Sequence, residues 1–255
     1  MNQMIKLGRN PLYIPKGKVY AIADVHGEVK KLKMLWAKIK QTIRPEDHVV
    51  FVGDYVDVGP NTPETLRYIQ VIKNEHPNTF FIMGNHEEMM LHAMNGDFAW
   101  WYGNKGGPTV VQFDKFGIQD PVGIKSWLQT ENITFLNELI SYYETETLLI
   151  THAPINSKLY YWGIKEGILE DLKEKLRWSF VNHEKRSVEQ ISEKLFICGH
   201  QNGMGRLKEP RIYLDVKRIF LDAGAGYYYD APLACVIVHP YDKIKAILSE
   251  GKIRS

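Results

Sequence analysis

The sequence predicts an α/β protein in which short buried strands alternate with amphipathic helices. Apolar runs rich in β-branched and aromatic residues recur along the chain, and their length favours strands buried in a sheet. The expected strands are Val19–Ala23, Val49–Val52, Thr79–Met83, Thr147–Thr151, Leu195–Cys198, Arg218–Leu221 and Leu233–Val238. Helical patterns between the early runs predict parallel strands joined by crossover helices, whereas the strand-dense last third predicts a mixed or second sheet.

Helices are expected between these strands. In residues 28–40 the apolar side chains fall on one stripe, and a run of lysines is expected to form the solvated face. Thr62 and Pro63 are typical of an N-cap followed by proline at the first helical position. Further helical patterns cover residues 87–94, 124–140 and 167–177. Because the sequence has neither an internal repeat nor a linker-like change in composition, residues 1–255 are predicted to form a single domain.

The size and composition are those of an ordinary globular protein. Of 255 residues, 44% are hydrophobic and 24% charged, and the formal net charge is +2. These values exclude a disordered chain, and so balanced a charge gives no sign of nucleic-acid or membrane partners. Cys198 and Cys235 lie inside apolar runs and are interpreted as reduced core thiols. Without an apolar run of about 18 residues or a signal-peptide pattern, we expect a cytoplasmic protein.

Residues with metal-binding or acid–base chemistry follow six of the expected strands. They are Asp24 and His26, Asp54 and Asp57, Asn85 and His86, His152, His200, and Asp222. One such aspartate is typical of a turn, but ligands of α/β sheets bind at the carboxyl ends of strands, so six ends can converge on one site. Nitrogen and oxygen donors without thiolate suit manganese, iron, cobalt or zinc. The pattern therefore predicts a binuclear metal centre able to hold a phosphate.

These motifs resemble those of the calcineurin-like metallophosphoesterases. The matching segments are Asp24–Gly27, Gly53–Gly59, Gly84–Glu87, His152–Ala153 and Gly199–His200. Within that superfamily they resemble most the phosphoprotein phosphatase branch, which contains bacterial serine/threonine phosphatases and symmetrical dinucleoside tetraphosphate hydrolases. The resemblance extends from about Val19 to Val238 and implies a four-layer α/β/β/α sandwich of two mixed sheets flanked by helices.

The resemblance also implies a role for each site residue. Two divalent metal ions, manganese first and iron, zinc, cobalt or nickel as alternatives, would be bound by Asp24, His26, Asp54, Asn85, His152 and His200. Asp54 would bridge both ions. His86 would be the general acid that protonates the leaving oxygen, and Asp57 would orient it. The implied reaction is hydrolysis of a phosphomonoester by a metal-bridged hydroxide.

One position departs from the family pattern. Val58 stands where the family usually has an arginine that clamps a phosphate oxygen, which a valine side chain cannot do. A second family arginine often follows the position of Trp178, where this chain has Ser179 and Phe180. The candidates to replace the clamp are Asn104, Lys105, Arg177 and Arg186. The departure leaves the substrate class open.

Three functions are compatible with the sequence. The leading hypothesis is a serine/threonine protein phosphatase acting on phosphorylated proteins. The second keeps the metals but takes a dinucleoside tetraphosphate, another nucleotide or a phosphodiester. The third is an inactive metal-binding scaffold for protein interaction, against which the intact pair of His86 and Asp57 argues.

Two aromatic segments have no assigned role. Residues 100–102 fit a hydrophobic lid or core patch better than a stacking platform for a substrate. Residues 227–229, three consecutive tyrosines after the Asp222 segment, fit the lining of a cleft as well as they fit simple packing.

Overall fold

The computed structural model describes residues 12–154, 194–201, 212–215, 217–239 and 244–250. Its helices are α1 (Val29–Ile39), α2 (Thr62–Glu75), α3 (Asn85–Ala93), α4 (Phe98–Tyr102), α5 (Gly106–Val111) and α6 (Pro121–Thr130). The helix predicted over residues 167–177 lies outside the described residues. Within them, no helix combines the length and apolar character that crossing a membrane requires.

The described strands form two mixed sheets. They are β1 (Val19–Ile22), β2 (His48–Phe51), β3 (Thr79–Phe81), β4 (Tyr142–Glu144), β5 (Leu148–Thr151), β6 (Leu195–Cys198), β7 (Tyr213–Asp215), β8 (Arg218–Phe220), β9 (Ala234–Val238) and β10 (Ile244–Leu248). One five-stranded sheet has the order β10-β9-β1-β2-β3, and the other has the order β4-β5-β6-β8-β7. With helices flanking these sheets, the predicted fold class is confirmed.

Each sheet has a parallel centre whose strands end together. In the first sheet, β1, β2 and β3 are parallel, and their last residues Ile22, Phe51 and Phe81 lie side by side in register. In the second, β5, β6 and β8 are parallel, and their last residues are likewise in register. Antiparallel strands complete both sheets. The residues that follow the parallel strands therefore leave each sheet at one edge.

Two helix boundaries differ from the prediction. Asn61, rather than Thr62, is the N-cap of α2, because its Oδ1 accepts a hydrogen bond from the backbone N–H of Glu64 at 3.3 Å. The helix predicted over residues 124–140 starts earlier, where the Asp120 side chain accepts from the Gly123 N–H at 2.8 Å. It ends at Thr130, and Asn132 then takes a left-handed φ of 53° that no helix continues.

The core packs between the sheets and the apolar faces of the helices. The stripe predicted on α1 is buried through Leu32, Leu35 and Ile39, as expected from its 3.6-residue period. Lys31, on the same helix, is also buried, so the prediction of a uniformly solvated lysine face is wrong at this position. Both cysteines are free and buried, as predicted.

Candidate functional site

Side chains that follow the parallel strands of both sheets meet in one site. Asp24 follows β1 and Asp54 follows β2, whereas His200 follows β6 of the other sheet. The backbone N–H of His200 donates to Oδ2 of Asp24 at 2.8 Å, which joins the two sheet edges directly. The predicted convergence of strand ends is therefore present in the fold.

Two groups of possible metal ligands share one carboxylate. The first group is His26, Asp54 and His86, and the second is Asp54, His152 and His200, each with its ligand atoms within 4.8 Å of one another. Oδ2 of Asp54 lies 3.5 Å from Nε2 of His26 and 3.4 Å from Nε2 of His152. Asp54 thus occupies the position of a bridge between the two groups.

His26 and His152 both direct Nε2 towards this carboxylate. Nδ1 of His26 lies 3.0 Å from the carbonyl oxygen of Val56, and Nδ1 of His152 lies 2.9 Å from that of Val52. Because a carbonyl oxygen can only accept, each Nδ1 carries a hydrogen, and Nε2 is the atom that can act as an electron-pair donor once its ring is neutral. In both rings Nε2 faces Asp54, so the two nitrogens that could bind a metal ion converge on this carboxylate.

Asn85 and Asp24 add oxygen donors to the same space. Oδ1 of Asn85 lies 3.0 Å from Nε2 of His152 and 3.0 Å from Nδ1 of His200. Within the described part of the chain, Oδ1 of Asp24 is buried without a hydrogen-bond partner. A buried oxygen of this kind is costly unless a cation or donor satisfies it. The site residues therefore fit divalent metal ions with nitrogen and oxygen ligands.

The ionisation of these groups is consistent with cation binding. Burial, reinforced by the charge of Asp222, holds the pKa of Asp24 well above its usual range. Burial also acts on Asp54, but the positive charges of His152 and His86 outweigh it and hold the pKa of that carboxyl well below its usual range. Although burial opposes the shift, Asp54 raises the pKa of His152 to about 10. Metal ions that bind to these groups would displace their protons.

His86, a member of the first group, forms a buried pair with Asp57. Nδ1 of His86 lies 2.7 Å from Oδ2 of Asp57, and the centre of the His86 ring lies 5.0 Å from that of His26. Against the effect of burial, the charge of Asp54 and the hydrogen bond to Asp57 raise the pKa of His86 to about 9. The imidazolium form, which has a proton to donate, is therefore favoured in this environment.

Two residues without a sequence-based role hold Asp57 in place. The indole N–H of Trp101 donates to Oδ2 of Asp57 at 2.7 Å, and the Thr109 hydroxyl donates to Oδ1. Trp101 is fully buried, which agrees with the interpretation of residues 100–102 as a core patch for this residue. Three donors thus fix the Asp57 carboxylate, and through it the ring of His86.

Glu87 is a further site residue that the sequence did not single out. Its buried carboxylate accepts hydrogen bonds from the backbone N–H groups of Asp54 (2.8 Å), Tyr55 (2.7 Å), Val56 (3.1 Å) and Gly84 (3.1 Å). Burial raises the pKa of this carboxyl to about 7, and the nearby Asp54 charge adds to the shift. Glu87 therefore ties the loop that carries Asp54 to the first turn of α3.

Glu87→Gln is expected to lower the free energy of unfolding by about 2 kcal/mol, because hydrogen bonds to a charged acceptor are lost and an amide NH₂ faces backbone donors. Urea denaturation of the metal-free protein measures the effect. Glu146→Gln, at an exposed turn, is the matched control, with an expected change within about 0.5 kcal/mol. Equal changes in the two variants would contradict this role for Glu87.

Several site residues have left-handed backbone conformations. The φ angles are 46° at His26, 51° at Asp54, 65° at Asp57, 65° at Val58 and 63° at His200. Such angles are uncommon outside glycine, and for a β-branched residue like Val58 they are strained. Backbone strain of this kind concentrates at functional sites, where the surrounding packing maintains it.

The predicted phosphate-clamping candidates are only partly placed by the structure. Asn104 and Lys105 are exposed, and the Asn104 amide nitrogen donates to the carbonyl oxygen of Trp100 at 2.8 Å. Lys105 is the N-cap of α5 with a left-handed φ of 78°. Arg177 and Arg186 lie outside the described residues. Their role in substrate binding stays a prediction.

The fold and site define a metallophosphoesterase. The family model of the calcineurin-like phosphoesterases matches residues 17–249, and the chain belongs to this family. Families of this kind use divalent metals, in agreement with the two groups of ligand residues.

Two of the curated relatives are named for different activities. The chain is 26% identical over 147 residues to the symmetrical bis(5'-nucleosyl)-tetraphosphatase of Buchnera aphidicola, covering 57% of this chain and 46% of the relative. It is 27% identical over 99 residues to a protein phosphatase 2A catalytic subunit of Dictyostelium discoideum, covering 38% of this chain and 31% of the relative. The chain thus spans about half, or less, of the length of these relatives.

Solved structures support the fold. A cold-active protein-tyrosine phosphatase of a psychrophilic Shewanella aligns with a TM-score of 0.60 and 17% identity, covering 96% of this chain and 85% of the other. A protein serine/threonine phosphatase from Saccharomyces cerevisiae aligns with a TM-score of 0.50 and 16% identity, covering 94% of this chain and 82% of the other. At such identities the likeness shows the shared fold alone.

Proposed function

We propose that this protein is a metal-dependent phosphoesterase that cleaves phosphate esters with His86 as the general acid. The observation that carries the proposal is the buried pair of His86 and Asp57, in which the His86 ring adjoins both His26 and the shared carboxylate of Asp54. A metal-binding scaffold would need only the ligands. An oriented, protonated imidazole beside them serves proton transfer to a leaving oxygen.

We assign one metal ion to Asp24, His26 and Asp54, and a second to Asp54, Asn85, His152 and His200. The Nε2 atoms of His26 and His152, which converge on Asp54, and the unpartnered Oδ1 of Asp24 support this assignment. When bound, such ions polarise phosphate oxygens and lower the pKa of water. Manganese is the metal we expect from the nitrogen and oxygen donor set.

The side chains of the site then divide the remaining work. Asp57 accepts from Nδ1 of His86, which fixes the ring orientation and stabilises its positive charge. The other ring nitrogen is thereby available to protonate the leaving oxygen as the ester bond breaks. Trp101 and Thr109 keep Asp57 from turning towards the metal ligands.

As substrate we propose a phosphorylated protein, with phosphoserine and phosphothreonine esters as expected from the sequence. A dinucleoside tetraphosphate is the second candidate, because the relative from Buchnera aphidicola is named for hydrolysing such a compound. The absence of an arginine at Val58 weakens the expectation of a tight phosphomonoester clamp and gives this alternative weight.

The test is a substrate panel on manganese-loaded protein. We expect hydrolysis of p-nitrophenyl phosphate and of at least one of a phosphothreonine peptide and diadenosine tetraphosphate, and complete loss after chelation. Re-addition of manganese should restore the rate. Protein that binds two equivalents of metal yet hydrolyses none of the panel would overturn the proposal in favour of a binding scaffold.

A further inference from the structure

A half-exposed tyrosine borders the metal-ligand groups. The ring of Tyr227 meets the ring of His26 edge to face, with centroids 5.2 Å apart and an interplanar angle of 83°. With a relative exposure of 46%, part of the Tyr227 residue is accessible to solvent. The backbone of the preceding residue also lies close to His26, since a Cβ atom added to Gly226 would lie 2.3 Å from Cβ of His26. Tyr227 therefore lies next to the position where a phosphate would be held.

The buried Lys31 forms hydrogen bonds with the loop that carries Tyr227. We call residues 224–229 the tyrosine loop. The ammonium group of Lys31 on α1 donates to the carbonyl oxygen of Ala225 at 2.8 Å and to that of Tyr228 at 3.2 Å. These two acceptors lie on either side of Tyr227 in the sequence. A lysine is rarely this buried unless its donors are used, so Lys31 fixes the loop against α1.

We propose that Tyr227 is a specificity-determining residue that packs on the aromatic ring of an aryl phosphate, and that Lys31 is its positioning residue. This inference rests on the proposed function and adds aryl phosphates, such as phosphotyrosine, to the phosphorylated-protein substrates proposed above. An aromatic partner lying against Tyr227 in offset or edge-to-face geometry gains affinity beyond the buried area alone. An alkyl ester such as phosphothreonine has no ring to offer and gains nothing from this contact.

Position decides which aromatic substrate fits. In an aryl phosphate the ring is separated from the phosphorus by one bridging oxygen. In a dinucleoside tetraphosphate a ribose and further phosphates lie between the base and the cleaved bond. Because Tyr227 contacts His26 itself, we expect it to meet a ring attached directly to the ester oxygen rather than a nucleobase farther from the cleaved bond.

The experiment compares two peptides of identical sequence, one with phosphotyrosine and one with phosphothreonine. Tyr227→Ala should raise KM for the phosphotyrosine peptide about two- to tenfold, the range typical of an aromatic pair, with little change for the phosphothreonine peptide. Tyr227→Phe retains the ring and should restore the low KM. Tyr229→Ala is the matched control, because that side chain is 93% exposed in the same loop.

Lys31→Met should reproduce the selective rise in KM without a matching loss of kcat, and Lys31→Arg should largely restore it. Lys30→Met, at the neighbouring exposed position of α1, is the control. A loss of kcat on both peptides for Lys31→Met would overturn the positioning role.

Further substrates show whether Tyr227 recognises the aryl ring itself, the peptide or a nucleobase. The same dependence on Tyr227 with p-nitrophenyl phosphate supports recognition of the ring itself, whereas dependence confined to the peptide overturns it. An equal rise in KM for diadenosine tetraphosphate would overturn the aryl assignment. If Tyr227→Ala affects both peptides equally, the inference fails while the proposed function stands; if wild type hydrolyses no ester, the proposed function fails.

Discussion

Replacing Asp54 with asparagine is expected to lower kcat on every substrate by roughly 10³-fold, because metal ions contribute several kcal/mol of charge stabilisation in such reactions. Oδ2 of Asp54 faces both His26 and His152, so this change affects both proposed ions at once. Oδ1 also accepts the backbone N–H of His86 at 3.1 Å, a bond that asparagine can keep. The fold should therefore survive while the metal centre does not.

The measurement combines elemental analysis with kcat over a manganese titration. Wild type should approach two equivalents of metal, and Asp54→Asn should bind clearly less. No other single substitution among the six proposed ligands should cost as much activity, because Asp54 alone contacts both groups. Asp114→Asn is the control, because this aspartate is exposed and belongs to neither group of ligand residues. It should leave metal content and kcat unchanged. Two tightly bound equivalents in Asp54→Asn would contradict the bridging assignment.

The placement of the site was predictable because it depends on short sequence segments and on the geometry of parallel sheets. Asp24, Asp54 and His152 each follow a short apolar run, and parallel strands bring their ends to one edge. Neither the distance between the two sheets nor their relative position had to be known. The pattern of short apolar runs, together with the rule that parallel strands end at one edge of a sheet, was sufficient to predict that these side chains converge.

The supporting contacts were not predictable in this way. Lys31 belongs to a run of lysines on α1, and only the approach of the tyrosine loop, about 200 positions later in sequence, turns it from a surface residue into a buried one. Glu87 follows directly after His86, yet its four partners are backbone N–H groups that leave no trace in the sequence. Contacts distant in sequence determine both roles.

The prediction also missed one edge strand and misplaced the end of one helix. The antiparallel strand β10 was not expected, because it is an edge strand with partly exposed residues and lacks a continuous apolar run. The helix predicted over residues 124–140 contained enough apolar residues to suggest continuation. Its end depends on the left-handed φ of Asn132, which composition does not reveal.

His86→Asn should lower kcat on a phosphothreonine peptide by about 10²–10⁴-fold, the usual contribution of a general acid. The alkoxide that leaves from phosphothreonine is strongly basic and needs a proton, whereas p-nitrophenolate is stable without one. The loss with p-nitrophenyl phosphate should therefore be much smaller. Metal content should stay near that of wild type, because this substitution leaves the six proposed ligands in place.

The metal readout is decisive, because the His86 ring also lies within ligand distance of His26 and Asp54. If His86 were a ligand, its loss would remove metal and lower the rates on both substrates equally. Asp57→Asn provides the matched test, since Asp57 orients His86 and stabilises its charge. It should show the same dependence on the leaving group with a smaller loss of kcat. A donor role thus requires retained metal and a leaving-group-dependent loss in both variants, and a ligand role predicts neither.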